Sequence, residues 1–247
     1  MREILLPAAV VFMTVTHTMG AEISVLSAGA VEPGLVRVID AFRRETGHAV
    51  KVAFATAPQI LKRIGGEAVH VVIAPAAALD ELVKARKSAA ADRVTVGRIG
   101  IGVTVRQSAL APQIATVDEF KQSLLNAESV VYNQASTGIY LEGLFDRLGI
   151  AAQLRAKTTR YPDFAGVLNH VSKGKGNEIG LGATAVIIEG KDKGLKFVGP
   201  LPEEIQNYTT YAATVVPDGD GAGPARDFVR YLTTPAAKAA FAAAGIE

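Results

Sequence analysis

Ile23-Ser24-Val25-Leu26-Ser27-Ala28-Gly29-Ala30 begins a pattern that recurs at Val50-Lys51-Val52-Ala53-Phe54 and Val69-His70-Val71-Val72-Ile73. Each run reads as a short strand followed by a turn and then a helix. After the first, Leu35, Val38, Ile39 and Phe42 fall at i, i+3, i+4 and i+7, one face of a helix over 33–46. Pro33 suits its first turn and Gly47 its stop. Pro58 opens a short helix reaching Ile64, and Leu79, Leu82 and Val83 line a third. Strand–helix–strand alternation on such short links implies right-handed crossovers and a mainly parallel sheet covered on both faces.

Past Gly97 the pattern changes. Arg98-Ile99-Gly100-Ile101-Gly102-Val103-Thr104-Val105 is a long, glycine-bearing strand, and Thr116-Val117-Asp118-Glu119 is a capping box opening a helix. Ser129-Val130-Val131-Tyr132 is another strand. A helix with Ile139, Leu141, Leu144, Phe145 and Leu148 on its apolar face ends at Gly149, and a further helix starts at Asp163. Ile179-Gly180-Leu181 and Tyr211-Ala212-Ala213-Thr214-Val215-Val216 are strands, and two alanine-rich helices over 223–232 and 235–244 follow. The expected architecture is α/β with two lobes, each a mainly parallel sheet flanked by helices. One lobe takes 22–99 plus 214–247 and the other 100–213, with the strands near 98–105 and 209–216 crossing between them. A single doubly wound domain is the alternative.

At the start, Arg2 and an apolar run from Ile4 to Met13 precede the small and polar Thr16-His17-Thr18-Met19-Gly20-Ala21. That order is a secretory signal peptide over 1–21, cleaved after Gly20 or Ala21. The apolar part is about half the length that a spanning helix needs. With no cysteine there is no lipid-modified anchor and no disulfide, so the expected home is the periplasm, with a soluble, unanchored protein held by its core. The net charge of +2, from 26 basic and 24 acidic residues, speaks against a nucleic-acid or membrane-surface partner. No metal-ligand spacing and no nucleophile elbow are present, so neither metal nor cofactor is expected.

The chemistry is expected at three turns, Ser27-Ala28-Gly29-Ala30, Ala55-Thr56-Ala57-Pro58 and Asn133-Gln134-Ala135-Ser136-Thr137-Gly138. Each sets small or hydroxyl residues before a helix start, where unpaired N–H groups and the positive dipole end attract an anion. The candidate ligand-binding residues are Ser27, Gly29, Ala30, Thr56, Ala57, Ser136, Thr137, Tyr140 and Arg98, to which the resemblance described below adds Phe164. Arg160, Lys62 and Arg63 are further cations that could meet a carboxylate. His70 is the candidate proton shuttle, since its unperturbed pKa lies near neutrality.

Leu26-Ser27-Ala28-Gly29-Ala30, Phe42-Arg43-Arg44-Glu45-Thr46-Gly47, Val71-Val72-Ile73, Leu82-Val83-Lys84 and Thr137-Gly138-Ile139-Tyr140 resemble the periplasmic molybdate-binding protein family, the type II solute-binding proteins of ABC transporters. The resemblance implies the two-lobe type II fold, a small anion held between the lobes, an inner-membrane ABC permease as partner, and a monomer. Carried over residue by residue, the family's first serine falls at Ala30, its second near Thr56 or Ala57, and its backbone donors at Thr137 and near Phe164. Its pocket tyrosine falls near Ala183, which has no hydroxyl. Each lost donor would leave a buried oxygen unpaired at about 1–3 kcal/mol, so an organic carboxylate is expected in preference to molybdate. Asp92-Arg93-Val94, Ile114-Ala115-Thr116-Val117-Asp118-Glu119-Phe120 and Arg147-Leu148-Gly149-Ile150 resemble a divergent branch that includes periplasmic aconitate isomerase. That branch implies the alternative function, a cofactor-free allylic proton shift between trans- and cis-aconitate.

Overall fold

The computed structural model describes residues 20–85, 93–216 and 222–247. The expected leader lies outside the described residues through position 19, as do Asp92 and 219–221 of the glycine-rich turn near the end. The chain runs β1 (Glu22–Ala28), α1 (Glu32–Thr46), β2 (Ala49–Ala55), α2 (Ala57–Arg63), β3 (Val71–Pro75), α3 (Ala76–Lys84) and β4 (Val94–Ile99). It continues with β5 (Ile101–Arg106), α4 (Val117–Asn126), β6 (Ser129–Asn133), α5 (Ser136–Arg147), α6 (Ala151–Leu154) and β7 (Thr158–Tyr161). Then come α7 (Phe164–Lys173), β8 (Glu178–Ala183), α8 (Thr184–Glu189), β9 (Leu195–Pro200), β10 (Thr209–Val215), α9 (Ala222–Tyr231) and α10 (Pro235–Ala243).

Two five-stranded sheets result, ordered β2-β1-β3-β10-β4 and β7-β6-β8-β5-β9. β1 is parallel to β2 and β3, whereas β10 is antiparallel to both β3 and β4. The second sheet repeats this plan, with β6 parallel to β7 and β8, and β5 antiparallel to β8 and β9. Each sheet is therefore mainly parallel with one reversed strand. The local signals behave as expected. Pro33 sits in the first turn of α1, and Gly47 closes that helix at φ 74°, a conformation glycine adopts without strain. Thr116 and Glu119 cap α4 reciprocally, each bond 3.1 Å long.

The chain crosses between sheets twice, at Gly100 and over 201–208. The long strand expected over 98–105 is thus two strands, β4 and β5, one in each sheet. β10 lies wholly in the first sheet, with Thr209 opposite Ile99. The second crossing accordingly precedes Thr209, ahead of the boundary expected at 214. An apolar strand looks the same whichever sheet it joins; only its partners decide. The two crossings are tied together by the Gln206 side chain, whose Oε1 accepts from the Ile101 N–H at 2.8 Å while its Nε2 donates to the Ile101 carbonyl at 3.0 Å.

Each sheet has its own core, around Phe42, Leu79, Phe228 and Phe241 in the first lobe and Phe120, Leu124, Leu141 and Phe145 in the second. Helix α8 is the exception. It follows a strand of the second sheet, yet Ala183 and Ala185 pack into the first lobe's core, so α8 lies between the lobes. No helix among the described residues is long and apolar enough to cross a membrane.

Candidate functional site

A cavity of about 530 Å³ opens between the two sheets. Its wall is built from strand ends and helix starts of both lobes. The first lobe contributes Ala28–Ala30 after β1, Thr56 and Ala57 at the start of α2, and Pro75 at the end of β3. The second contributes Ser136 and Thr137 at the start of α5, Phe164 and Ala165 at the start of α7, and Ala183 before α8. Open α/β sheets place ligands at such carboxyl ends, because there the helix-start amides face outward without partners.

Which amides remain available follows from the caps. The Thr56 N–H is taken by Gln59 Oε1 at 2.8 Å, which leaves Ala57 as the amide of that turn, since Pro58 has none. Before α5, Asn133 Oδ1 accepts from the Ala135 N–H at 3.1 Å and the Tyr161 carbonyl accepts from the Gln134 N–H at 2.8 Å. The loop is thereby fixed, and the first-turn amides of Ser136 and Thr137 have no intrahelical acceptor. At α7, Asp163 Oδ1 takes the Gly166 N–H at 3.1 Å, leaving those of Phe164 and Ala165. Gly138 lets α5 come this close, because a Cβ there would lie 1.7 Å from the Asn133 carbonyl oxygen.

Charge gathers among the cavity residues. Arg37 and Glu32, on α1, and Glu189 and Lys193, at and beyond the end of α8, all line it. Arg37 Nη2 meets Glu189 Oε2 at 3.4 Å, a half-exposed pair joining α1 to α8. Partial burial raises the Glu32 carboxyl above its ordinary value; Lys193 opposes that rise and Glu189 adds to it. Tyr211, from β10, also lines the cavity and is only 4% exposed. Burial pushes its phenol well above the ordinary range, so it remains protonated.

Of the residues expected from sequence, Gly29, Ala30, Thr56, Ala57, Ser136, Thr137 and Phe164 meet on this cavity. The others lie elsewhere. Ser27 is fully buried, and its hydroxyl donates to the Ala28 carbonyl at 3.2 Å. His70 precedes β3, at the end away from Pro75, where its Nδ1 accepts from the Ser24 N–H at 3.0 Å and its own N–H donates to the Ser24 carbonyl at 2.9 Å. It extends the β1–β3 ladder and does not face the cavity. Arg98 bonds Glu247 Oε2 at 2.9 and 3.2 Å and lies 4.5 Å from the Tyr208 ring centroid. Tyr140 donates its hydroxyl to the Ile205 carbonyl at 2.9 Å. Lys62 and Arg63 stand in the last turn of α2, where Arg63 pairs with Glu67 at 2.8 Å, and Arg160 pairs with Glu142 at 2.5 Å. Sequence reasoning missed Arg37, Glu32, Lys193 and Tyr211. A cation or phenol one turn into a helix or inside a strand carries no local mark of the cleft it reaches.

Comparison with known proteins agrees with this geometry. Residues 23–247 match the family described as bacterial extracellular solute-binding protein. The chain is 31% identical over 235 residues to a Pseudomonas aconitate isomerase, covering 91% of this chain and 87% of that one. Among solved structures it superimposes on the periplasmic molybdate-binding protein of Azotobacter vinelandii with a TM-score of 0.76 at 18% identity, over 91% of this chain and 98% of that one. For the sulfate-binding protein SubI of Mycobacterium tuberculosis H37Rv the TM-score is 0.75 at 17% identity, over 92% and 86% of the two chains. The fold is the two-lobe type II periplasmic binding fold, as the sequence resemblance implied. The chain belongs to the bacterial extracellular solute-binding protein family.

Proposed function

We propose that this protein captures a small organic carboxylate between its lobes in the periplasm and presents it to an ABC-type inner-membrane permease. The observation that carries this is the convergence of helix-start amides from both lobes, at Ala57, Ser136, Thr137, Phe164 and Ala165, on one cavity. Partial positive charge from such amides favours an anion. A carboxylate is preferred to a tetrahedral oxyanion because Ala30 and Ala183 bring no hydroxyl to the wall; Arg37, paired with Glu189, and Lys193 add cations for an anion of either kind. Closing of the lobes about the two crossings would remove the ligand from water and give the permease a shape to recognise.

The test is a thermal-shift screen of the purified protein against succinate, citrate, cis- and trans-aconitate, molybdate and sulfate. A ligand at 100 times its Kd stabilises by about 2.7 kcal/mol, a shift of several degrees. Stabilisation by a di- or tricarboxylate but not by molybdate supports the proposal; the reverse pattern overturns it.

A second reading is favoured by one specific observation, the 31% identity to an aconitate isomerase over nearly the whole chain. On that reading a base at the cavity removes a proton from the methylene carbon beside one carboxylate and returns it to the far carbon of the allylic system, moving the double bond. Glu32, a cavity carboxyl with a raised pKa, is better placed for this than His70. Incubation with trans-aconitate, followed by NMR, separates the readings: appearance of cis-aconitate supports the enzyme, and tight binding without turnover supports the carrier.

A further inference from the structure

Three buried residues, Thr137, Tyr132 and Tyr211, carry hydroxyls without a hydrogen-bond partner among the described residues, and of the two tyrosines only Tyr211 lines the cavity. It is 4% exposed, and its hydroxyl makes no hydrogen bond among the described residues. Nor is that oxygen sealed in the core, since the buried, unpaired side-chain atoms among the described residues are Arg106 Nε and Glu178 Oε2. The remaining outlet is the cavity that Tyr211 lines beside its strand neighbour Pro75. The backbone is irregular at the same point: the β10–β4 ladder shifts register between Tyr211 and Ala212. Shifts of this kind re-aim a side chain next to functional sites. Phenylalanine would fill the same apolar space without carrying an idle hydroxyl, so packing alone does not account for tyrosine.

From these observations we infer that Tyr211 donates its phenolic hydrogen to the anion held in the cleft. This donor comes from β10 in the first sheet, whereas the family resemblance placed its tyrosine near Ala183, at the end of β8 in the second. The inference rests on the anion-capture reading above and names a residue that determines its specificity. Because the phenol stays protonated, it acts only as a neutral donor. It therefore rewards an acceptor oxygen at one point in the site, whereas Arg37 and Lys193 attract any negative charge. A ligand with no oxygen at that point would leave the hydroxyl unpaired and bind correspondingly less well.

The experiment is isothermal titration of wild type and Tyr211→Phe with trans-aconitate and, separately, molybdate. For whichever probe wild type binds, the variant is expected to bind about 10- to 100-fold more weakly, the range for losing a hydrogen bond to a charged group. The unliganded variant should melt at the wild-type temperature or slightly above it, because only an unpaired hydroxyl has been removed. A structural role would instead lower the unliganded melting temperature. Equal affinity in wild type and variant overturns the inference and leaves the anion-capture reading intact. A wild type that binds neither probe overturns both. Should the variant fold poorly, the near-ultraviolet tyrosine difference spectrum of wild type decides: a change on adding the probe supports a phenol at the ligand, and a flat spectrum overturns it.

Discussion

The cleft and the crossings between the lobes both hold polar groups, but they treat them in opposite ways. At the crossings the hydrogen bonding is finished. Gln206 spends both amide atoms on Ile101, and the Gly100 carbonyl receives the Thr184 N–H at 3.0 Å. Tyr140 bonds the Ile205 carbonyl, and Arg98 is shared between Glu247 and the Tyr208 ring. At the cleft, the first-turn amides of α5 and α7 have no intrahelical acceptor, and Tyr211 lines the cavity with no hydrogen-bond partner for its hydroxyl among the described residues. Leaving buried polar groups unpaired costs stability, so an array of them on one cavity points to a ligand. Three of the most chemically suggestive side chains in the sequence, His70, Arg98 and Tyr140, likewise have their hydrogen bonds made within the protein, outside the residues that line the cavity.

The sharpest way to break the comparison is to shift one wall of the cleft. In Gly138→Ala the new Cβ cannot stay 1.7 Å from the Asn133 carbonyl oxygen, so the start of α5 must move off β6. Overpacking of this kind costs about 1–3 kcal/mol, and anion affinity should fall more than about tenfold because the Ser136 and Thr137 amides lose their aim. Thermal melting with and without trans-aconitate measures both effects. Undiminished ligand stabilisation in the variant would remove α5 from the site.

Gln206→Ala tests the other region. It leaves the buried Ile101 N–H without its acceptor, at about 1–3 kcal/mol. Here stability should fall while the Kd stays within about threefold of wild type, the opposite split from Tyr211→Phe. Urea unfolding and titration calorimetry on the same preparation check it. A large change in Kd at undiminished stability would mean that the crossings set affinity themselves.

Much of this contrast was legible in the amino-acid sequence, and the illegible part has physical causes. Helix starts after strand ends announce themselves locally, so Gly29–Ala30, Thr56–Ala57 and Ser136–Thr137 could be picked out before their convergence was known, and the family resemblance added Phe164. The edge strands β7 and β9 went unseen because half-exposed Thr158-Thr159-Arg160-Tyr161 and Leu195–Pro200 lack an apolar run. Tyr211 looked like strand filling, and Arg37 like any solvated arginine on α1; only the pairing of β10 with β3 and the placement of α8 between the lobes bring them to the cavity. Strand polarity keeps His70 from the cavity. Ligands gather at the carboxyl end of β3, and His70 stands before its first residue.

Glu32 offers the smallest effect and the finest cut, because it faces the cavity with a charge of the wrong sign for an anion site. Its carboxyl titrates above the ordinary value, through partial burial, with Lys193 opposing and Glu189 reinforcing. The folded protein therefore holds that proton more tightly than the unfolded chain. Stability from this group is fully present below the ordinary carboxyl value of 4.5 and is lost as pH rises through the higher folded value. Glu32→Gln should flatten that part of the stability profile in pH-dependent unfolding. At neutral pH it should also tighten trans-aconitate binding about two- to fivefold, the worth of one exposed like-charge contact removed. If the protein is a carrier, the gain in affinity is the whole result. If it is an isomerase with Glu32 as base, the same variant binds more tightly and stops turning over, and a variant that keeps full turnover takes Glu32 out of the chemistry.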